Sequence, residues 1–133
     1  MRKRTGILLT QLGTPKAATV GAVRPYLRQF LNDERVIDIP AAVRYVLVNC
    51  VIVPFRAPKS TKIYKELWEH GNGASPLLSI TKELTEKLND QLNGDDIFVH
   101  MAMRYQEPSM DTVLAEMQRQ NYDKIVVLPM YPH

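Results

Sequence analysis

Apolar positions along the chain fall into two alternating patterns. Thr5 to Gln11 is a short run without charge, stopped by Gly13 and Pro15, which predicts a strand buried on both faces. From Thr19 to Leu31, the residues Val20, Val23, Leu27, Phe30 and Leu31 recur at helical spacing, and Thr19 is placed to cap the first turn. Pro40 opens a long apolar segment to Phe55, rich in β-branched residues (Val43, Val46, Val48, Val51, Ile52, Val53); helix is the reading adopted, although such residues suit a strand equally. After Pro58, Ile63, Tyr64, Leu67 and Trp68 line one face of a further helix, which Gly71 and Gly73 end. Ser75-Pro76 then supplies a cap and a proline at the first helical position, followed by the stripe Leu77, Thr81, Leu84, Leu88 and Leu92. Ile97 to Met103 predicts a second strand, Ser109 to Gln120 a helix with Val113, Leu114 and Met117 inward, and Ile125 to Leu128 a third strand.

Alternating strands and helices predict an α/β fold with a doubly wound parallel sheet flanked by helices, because parallel neighbours need a right-handed crossover that a helix supplies. Ligands of such sheets bind beyond the carboxyl ends of the strands, which directs attention to residues 11–15, 104–109 and 129–133. The stretch between strands one and two is too long for one crossover, so its extra helices, at about 19–70, are expected to form a flap or lip beside that edge. The length of 133 residues suits one domain with one core. His133 follows the third strand directly, where a complete doubly wound domain would continue with a helix.

Composition narrows the function classes. Apolar residues make up 45% of the chain and charged residues 23%, as in a folded soluble protein. The net charge of +3 permits an anionic ligand without indicating one. No basic run occurs, and the aromatics do not alternate with Lys or Arg along a stripe, so no nucleic-acid partner is expected. Cys50 is the only cysteine, which excludes an internal disulfide, a cysteine zinc site and an iron–sulfur cluster in this chain and fits a reducing, cytoplasmic setting. Met1-Arg2-Lys3-Arg4 resembles the start of a signal peptide, but Thr10, Gln11 and Gly13 break the apolar run at once. The segment Ala41 to Phe55 contains Arg44 and Asn49 and is shorter than the roughly 20 residues that cross a bilayer, so it is not expected to span one. His70 and His100 show no metal-ligand spacing and are expected to be structural.

Neither G-x-G-x-x-G nor G-x-x-x-x-G-K-S/T occurs, which argues against a nucleotide held in the standard ways. Four other segments carry a specific pattern: Leu12-Gly13-Thr14-Pro15 after the first strand, Gly71-Asn72-Gly73-Ala74-Ser75-Pro76-Leu77 before a helix, Met103-Arg104-Tyr105 with Pro108-Ser109 after the second strand, and Pro129-Met130-Tyr131-Pro132 after the third. In order and spacing, together with Phe30-Leu31-Asn32-Asp33, Ile39-Pro40 and the Arg56-Ala57-Pro58-Lys59 turn, they resemble the ferrochelatases across essentially the whole chain.

The resemblance implies a chelatase-like protein of two similar α/β domains, of which residues 1–133 would be the amino-terminal one, with a porphyrin held between them. Its porphyrin contacts then fall at Leu12, Arg56, Trp68, Ser75, Arg104, Tyr105 and Tyr131, and its apolar lip at Phe30, Val36 and Ile39. Trp68 stands where tyrosine is usual, with Tyr64 one turn earlier; Gln11 replaces a common asparagine, and His133 a common glutamine. It further implies that the full enzyme, a lyase of heme biosynthesis, takes ferrous iron and protoporphyrin or coproporphyrin as substrates. Iron delivery and proton removal would depend on a histidine and a glutamate of the carboxy-terminal half. This chain would then bind no cofactor or metal itself, contain no catalytic residue and be inactive alone, with the carboxy-terminal half as its partner and, in some members, the membrane surface as a peripheral contact.

Each residue also has a plainer reading. Arg56 serves equally as a surface charge, although a planar guanidinium suits a porphyrin carboxylate through two parallel hydrogen bonds. Arg104 could pair with Glu107, Ser75 suffices as a helix cap, and Trp68 and Tyr64 fit a helix face. Two other function classes stay open on the residues alone: a chelatase for another tetrapyrrole, of the cobalt and sirohydrochlorin type, and a non-enzymatic α/β ligand-binding or interaction domain.

Overall fold

Thr5–Gly13 forms strand β1 in the computed structural model of the chain, which describes residues 2–92 and 94–132. β1 runs two residues beyond the expected end at Gln11, so Leu12 and Gly13 belong to the strand and not to a loop. The cause is the glycine itself. Gly13 lies opposite Tyr105 in the parallel register and adopts φ +130, and the Tyr105 carbonyl stands where a Cβ would be. A residue that reads as a stop signal is here what lets two strand ends approach.

The chain divides into two compact units, one of Met1–Gly13 with Leu77–His133 and the other of Thr14–Pro76. The first unit holds β1, the greater part of helix α4 (Pro76–Gln91), strand β2 (Ile97–Tyr105), helix α5 (Met110–Arg119) and strand β3 (Lys124–Pro129). Its sheet is fully parallel in the order β2-β1-β3 and flanked by helices, which is the α/β architecture expected from the alternating pattern. Leu8 and Ala102 on the sheet pack with Val113 and Met117 of α5, and Met110 and Tyr122 close the cluster. At Gly6 a Cβ would come within 2.6 Å of the Tyr122 ring, so the absent side chain is what seats that ring on the sheet. The apolar run of β3 is not matched by burial: Ile125, Val127 and Leu128 stay exposed.

Two polar devices complete this unit. Asn89 on α4 donates from Nδ2 to the Val99 carbonyl and accepts at Oδ1 from the Val99 N–H, both at 2.8 Å, and so satisfies the backbone on the outer edge of β2. His100 Nε2 and the Tyr122 hydroxyl lie 2.8 Å apart, and the Arg4 guanidinium lies over the rings of Phe98 and Tyr122, 5.0 and 5.3 Å from their centroids. Burial lowers the pKa of His100 below its ordinary value, against an opposing pull from Glu116, and burial raises that of Tyr122.

The second unit is helical. Helix α1 (Val20–Leu31) starts as the sequence predicts: Thr19 Oγ1 accepts from the Ala22 N–H, and Val23, Tyr26, Leu27 and Leu31 are buried. The following segment corrects the expectation of two helices broken by a turn at Pro58. Helix α2 (Ala41–Val46), a π-type segment (Leu47–Ile52) and helix α3 (Val53–His70) form one continuous run, with Arg56 to Lys59 inside it. The Val53 N–H reaches back five residues to the Val48 carbonyl. This wide turn comes just before Pro54 and Pro58, which lack a donor, and widening is one way a helix accommodates that loss. It also sets the packing: Val48, Val53, Ala57 and Thr61 are the buried residues, and the single step of five among steps of four is the one the π turn spans.

The thirty-residue helical run Ala41–His70 overturns the argument from a fifteen-residue segment. By length and composition alone it is long and apolar enough to cross a membrane, with 17% of its most apolar window buried.

Candidate functional site

The residues singled out in the sequence are divided between the two units. In the first, the parallel register places them at the carboxyl ends of all three strands. Leu12 lies on β1 between Gln11 and Gly13, which pair with Met103 and Tyr105, so Leu12, Arg104 and Tyr105 share one end of the β1–β2 ladder. Tyr131 follows β3 by two residues, just after the Met130 N–H donates to the Thr10 carbonyl at 2.9 Å. Tyr105 is buried, while Leu12, Arg104 and Tyr131 are half-buried. Arg104 Nε donates to the Tyr105 hydroxyl at 3.2 Å, and its guanidinium lies 5.6 Å from that ring's centroid. The carboxylate of Glu107 accepts from the Ser109 N–H at 2.9 Å and so serves the entry to α5. Ser109 in turn caps α5 by accepting from the Thr112 N–H.

In the second unit Arg56, Trp68 and Ser75 keep company with the lip residues. Tyr26, Tyr64 and Trp68 form a ladder of edge-to-face rings with centroids 6.0 and 5.9 Å apart, and Phe30 stacks on Tyr26 at 6.2 Å. Beside the ladder is a niche of about 200 Å³ between α1 and α3, lined by Tyr26, Leu27, Phe30, Arg56, Ser60, Ile63 and Tyr64. Its lining is mainly aromatic and aliphatic, with Ser60 as a polar residue and Arg56 as the one charged residue. Trp68 is half-buried at the far end of the ladder and does not line the niche; Tyr64, one turn earlier, does.

Ser75 stands immediately before α4 and is buried. Its hydroxyl lies 2.9 Å from that of Thr14, also buried, so the first and nearly the last residue of the helical unit are joined by a hydroxyl pair. Between Trp68 and Ser75 the chain turns through Asn72 and Gly73, both with positive φ, and at Gly71 the Ala74 carbonyl occupies the place of a Cβ. Val36 is exposed, and Ile39 and Phe30 are half-buried. Arg44, which the sequence reading treats only as a charge interrupting an apolar run, donates from Nη1 to the carbonyls of Ile39 and Ile37 at 3.0 and 3.3 Å. Nothing in the spacing of the sequence signals that bond, or the one made by Thr14.

The His70 Nδ1–H donates to the Glu66 carbonyl, and His100 Nε2 lies against the Tyr122 hydroxyl. Among the described residues no group of three His, Cys, Asp or Glu side chains could hold a metal ion. His133 lies outside the described residues.

A parallel sheet flanked by helices, with polar and aromatic residues at the carboxyl ends of its strands and a helical unit between β1 and α4, defines an α/β domain of the chelatase type. The family model for ferrochelatase matches residues 4–133, and the chain belongs to the ferrochelatase family. It is 43% identical over 129 residues to a ferrochelatase of Coxiella burnetii (strain CbuG_Q212), covering 97% of this chain and 36% of that protein. It is 43% identical over 133 residues to ferrochelatase 2 of Shewanella oneidensis, covering 98% and 40% respectively. With a ferrochelatase of Legionella pneumophila (strain Paris) it shares 44% over 129 residues, or 97% of this chain and 38% of that one. The chain thus spans 36 to 40% of the length of these relatives.

Proposed function

We propose that this chain supplies the porphyrin-gripping part of a ferrochelatase that inserts ferrous iron into a porphyrin in heme biosynthesis, a lyase reaction. The niche beside Tyr26, Phe30 and Tyr64, with Arg56 at its wall, is the observation that carries the reading. The aromatic rings of the lining suit the face and edge of a macrocycle, and a planar guanidinium suits a propionate carboxylate. At about 200 Å³ the niche takes only an edge of such a ring, which fits a contribution to a larger site. Leu12, Trp68, Ser75, Arg104, Tyr105 and Tyr131 are proposed as further contacts, and Phe30, Val36 and Ile39 as the apolar lip, within an amino-terminal domain whose helical insertion spans about 19–70.

Metal insertion requires the ring to be held and bent so that its pyrrole nitrogens face the ion, and two protons to leave. Bending is strain supplied by binding energy from contacts remote from the metal, and these residues are of the kind that provide it. Iron is a substrate of the reaction, and its handling, with proton removal, is proposed for a histidine and a glutamate of a carboxy-terminal half. On this reading residues 1–133 alone grip porphyrin without inserting iron. A cytoplasmic setting with peripheral membrane contact is proposed as well, because Val43, Val46, Val51 and Phe55 are all exposed along one helical run.

Protoporphyrin, coproporphyrin and sirohydrochlorin are titrated into the protein while ligand fluorescence is followed. Binding of a porphyrin in preference to sirohydrochlorin, weakened about tenfold by Arg56→Ala, is the expected result. Preference for sirohydrochlorin would favour the other tetrapyrrole class, and no tetrapyrrole binding would leave an interaction domain. Iron insertion by residues 1–133 alone would overturn the division of labour.

A further inference from the structure

The segment between α1 and α2 carries Val36 and Ile39, yet its own bonds are local. The N–H groups of Val36 and Ile37 donate to the Asp33 carbonyl, that of Ile39 to the Ile37 carbonyl, and that of Arg35 to the Asp33 carboxylate. Val36 is 40% exposed and Ile37 and Ile39 are only half-buried, so no fully buried side chain anchors the segment. The helix that follows is no firmer by its own packing: none of the six residues of α2 is buried, and it continues into the wide π turn.

Arg44 bridges the two. Its backbone N–H begins α2 by donating to the Pro40 carbonyl, while its side chain turns back and Nη1 donates to the carbonyls of Ile37 and Ile39. One half-buried charged donor thus holds the carbonyls of both residues that flank Asp38 and ties the lip to α2.

We propose that Arg44 is a positioning residue of the macrocycle site: it presents the Val36–Ile39 lip in one conformation before the ligand arrives, so that ordering is not charged against porphyrin binding. The proposal rests on the porphyrin reading above. It assigns Arg44 no contact with the ring, and it requires that the loss be in affinity and not in turnover.

The test uses Arg44→Met, which keeps the length of the stem and removes the donors, and Arg44→Lys, which keeps a charged donor, in the protein at its natural length. Amide hydrogen exchange at residues 36–39, porphyrin affinity by fluorescence, and the KM and kcat of iron insertion are measured together. In Arg44→Met, exchange at these amides should quicken, KM and Kd for porphyrin should rise about tenfold, and kcat should change by less than about twofold, with Arg44→Lys between it and the original protein. Unchanged exchange overturns the proposal, and so does faster exchange with unchanged porphyrin affinity. A parallel fall in kcat and thermal midpoint also overturns it, because that is the signature of a merely structural arginine. Failure of the unsubstituted protein to bind porphyrin is a separate result: it refutes the proposed function itself, and the positioning role falls with it.

Discussion

The Tyr105 carbonyl occupies the space that a side chain at Gly13 would need, and Gly13 sits at φ +130, so contact and backbone geometry both demand glycine at the end of β1. Gly13→Ala is expected to destabilise the protein by at least about 2 kcal/mol, because a buried clash adds to left-handed strain. Gly21, within α1, is the contrast: a Cβ there meets nothing within 4 Å. Gly21→Ala should stabilise by about 0.5 kcal/mol through a less flexible unfolded chain. Urea denaturation of both variants checks the pair.

Thr14 and Ser75 share a buried hydroxyl–hydroxyl hydrogen bond across the whole sequence length of the helical unit. Thr14→Val keeps the shape and removes the bond, at an expected cost of about 1 kcal/mol, whereas Thr14→Ser should cost less. A double-mutant cycle with Ser75→Ala, read by thermal unfolding, should return a coupling energy above about 0.5 kcal/mol. Simple additivity would count against the pair.

Asn89 guards the edge of β2 because an amide offers both a donor and an acceptor to Val99. Asn89→Asp retains the acceptor alone and leaves the Val99 carbonyl facing a carboxylate. It should destabilise by about 1 to 3 kcal/mol and promote association through the bared strand. Light scattering on heating, compared with the parent protein, reports the second effect.

Burial lowers the folded-state pKa of His100 relative to an ordinary imidazole, titrating near about 6.5 in the unfolded chain. The unfolded chain therefore takes up this proton first as pH falls. The stabilising contribution is complete above the unfolded value and is lost as pH drops through the folded one. Stability measured from pH 7 down to 5 should decline, and the decline should be shallower in His100→Gln.

Local chemistry was the most legible part of the sequence. Thr19 caps the helix that follows it as the sequence predicts, because a hydroxyl beside an apolar periodic run needs only its own backbone to act; Ser109, expected as the first residue of its helix, is the cap instead. The sheet was legible too, since uncharged runs and helical crossovers leave few topologies. What the pattern could not reveal depends on partners distant in sequence or on a change of period. Gly13 reads as a terminator until Tyr105 is known to lie opposite it, and Pro58 reads as a break until the wide turn before it is seen. In the candidate site, Arg56 and Tyr64 line one niche, a pairing that the sequence pattern does not announce. Arg44 and Thr14 act through a carbonyl pair and a hydroxyl that no spacing rule locates.

The five-residue step between Val48 and Val53 means that the long helix carries one residue more than its buried stripe requires. Removing a single residue from Leu47–Ile52, Cys50 for example, would turn the step into an ordinary one of four and leave Val48, Val53, Ala57 and Thr61 in line. Elsewhere in a helix the same deletion rotates every later side chain by about 100° and scatters the packed face. This segment should therefore tolerate a shortened chain that its flanks cannot, a difference visible in the soluble yield and thermal midpoint of one-residue deletions walked along the helix.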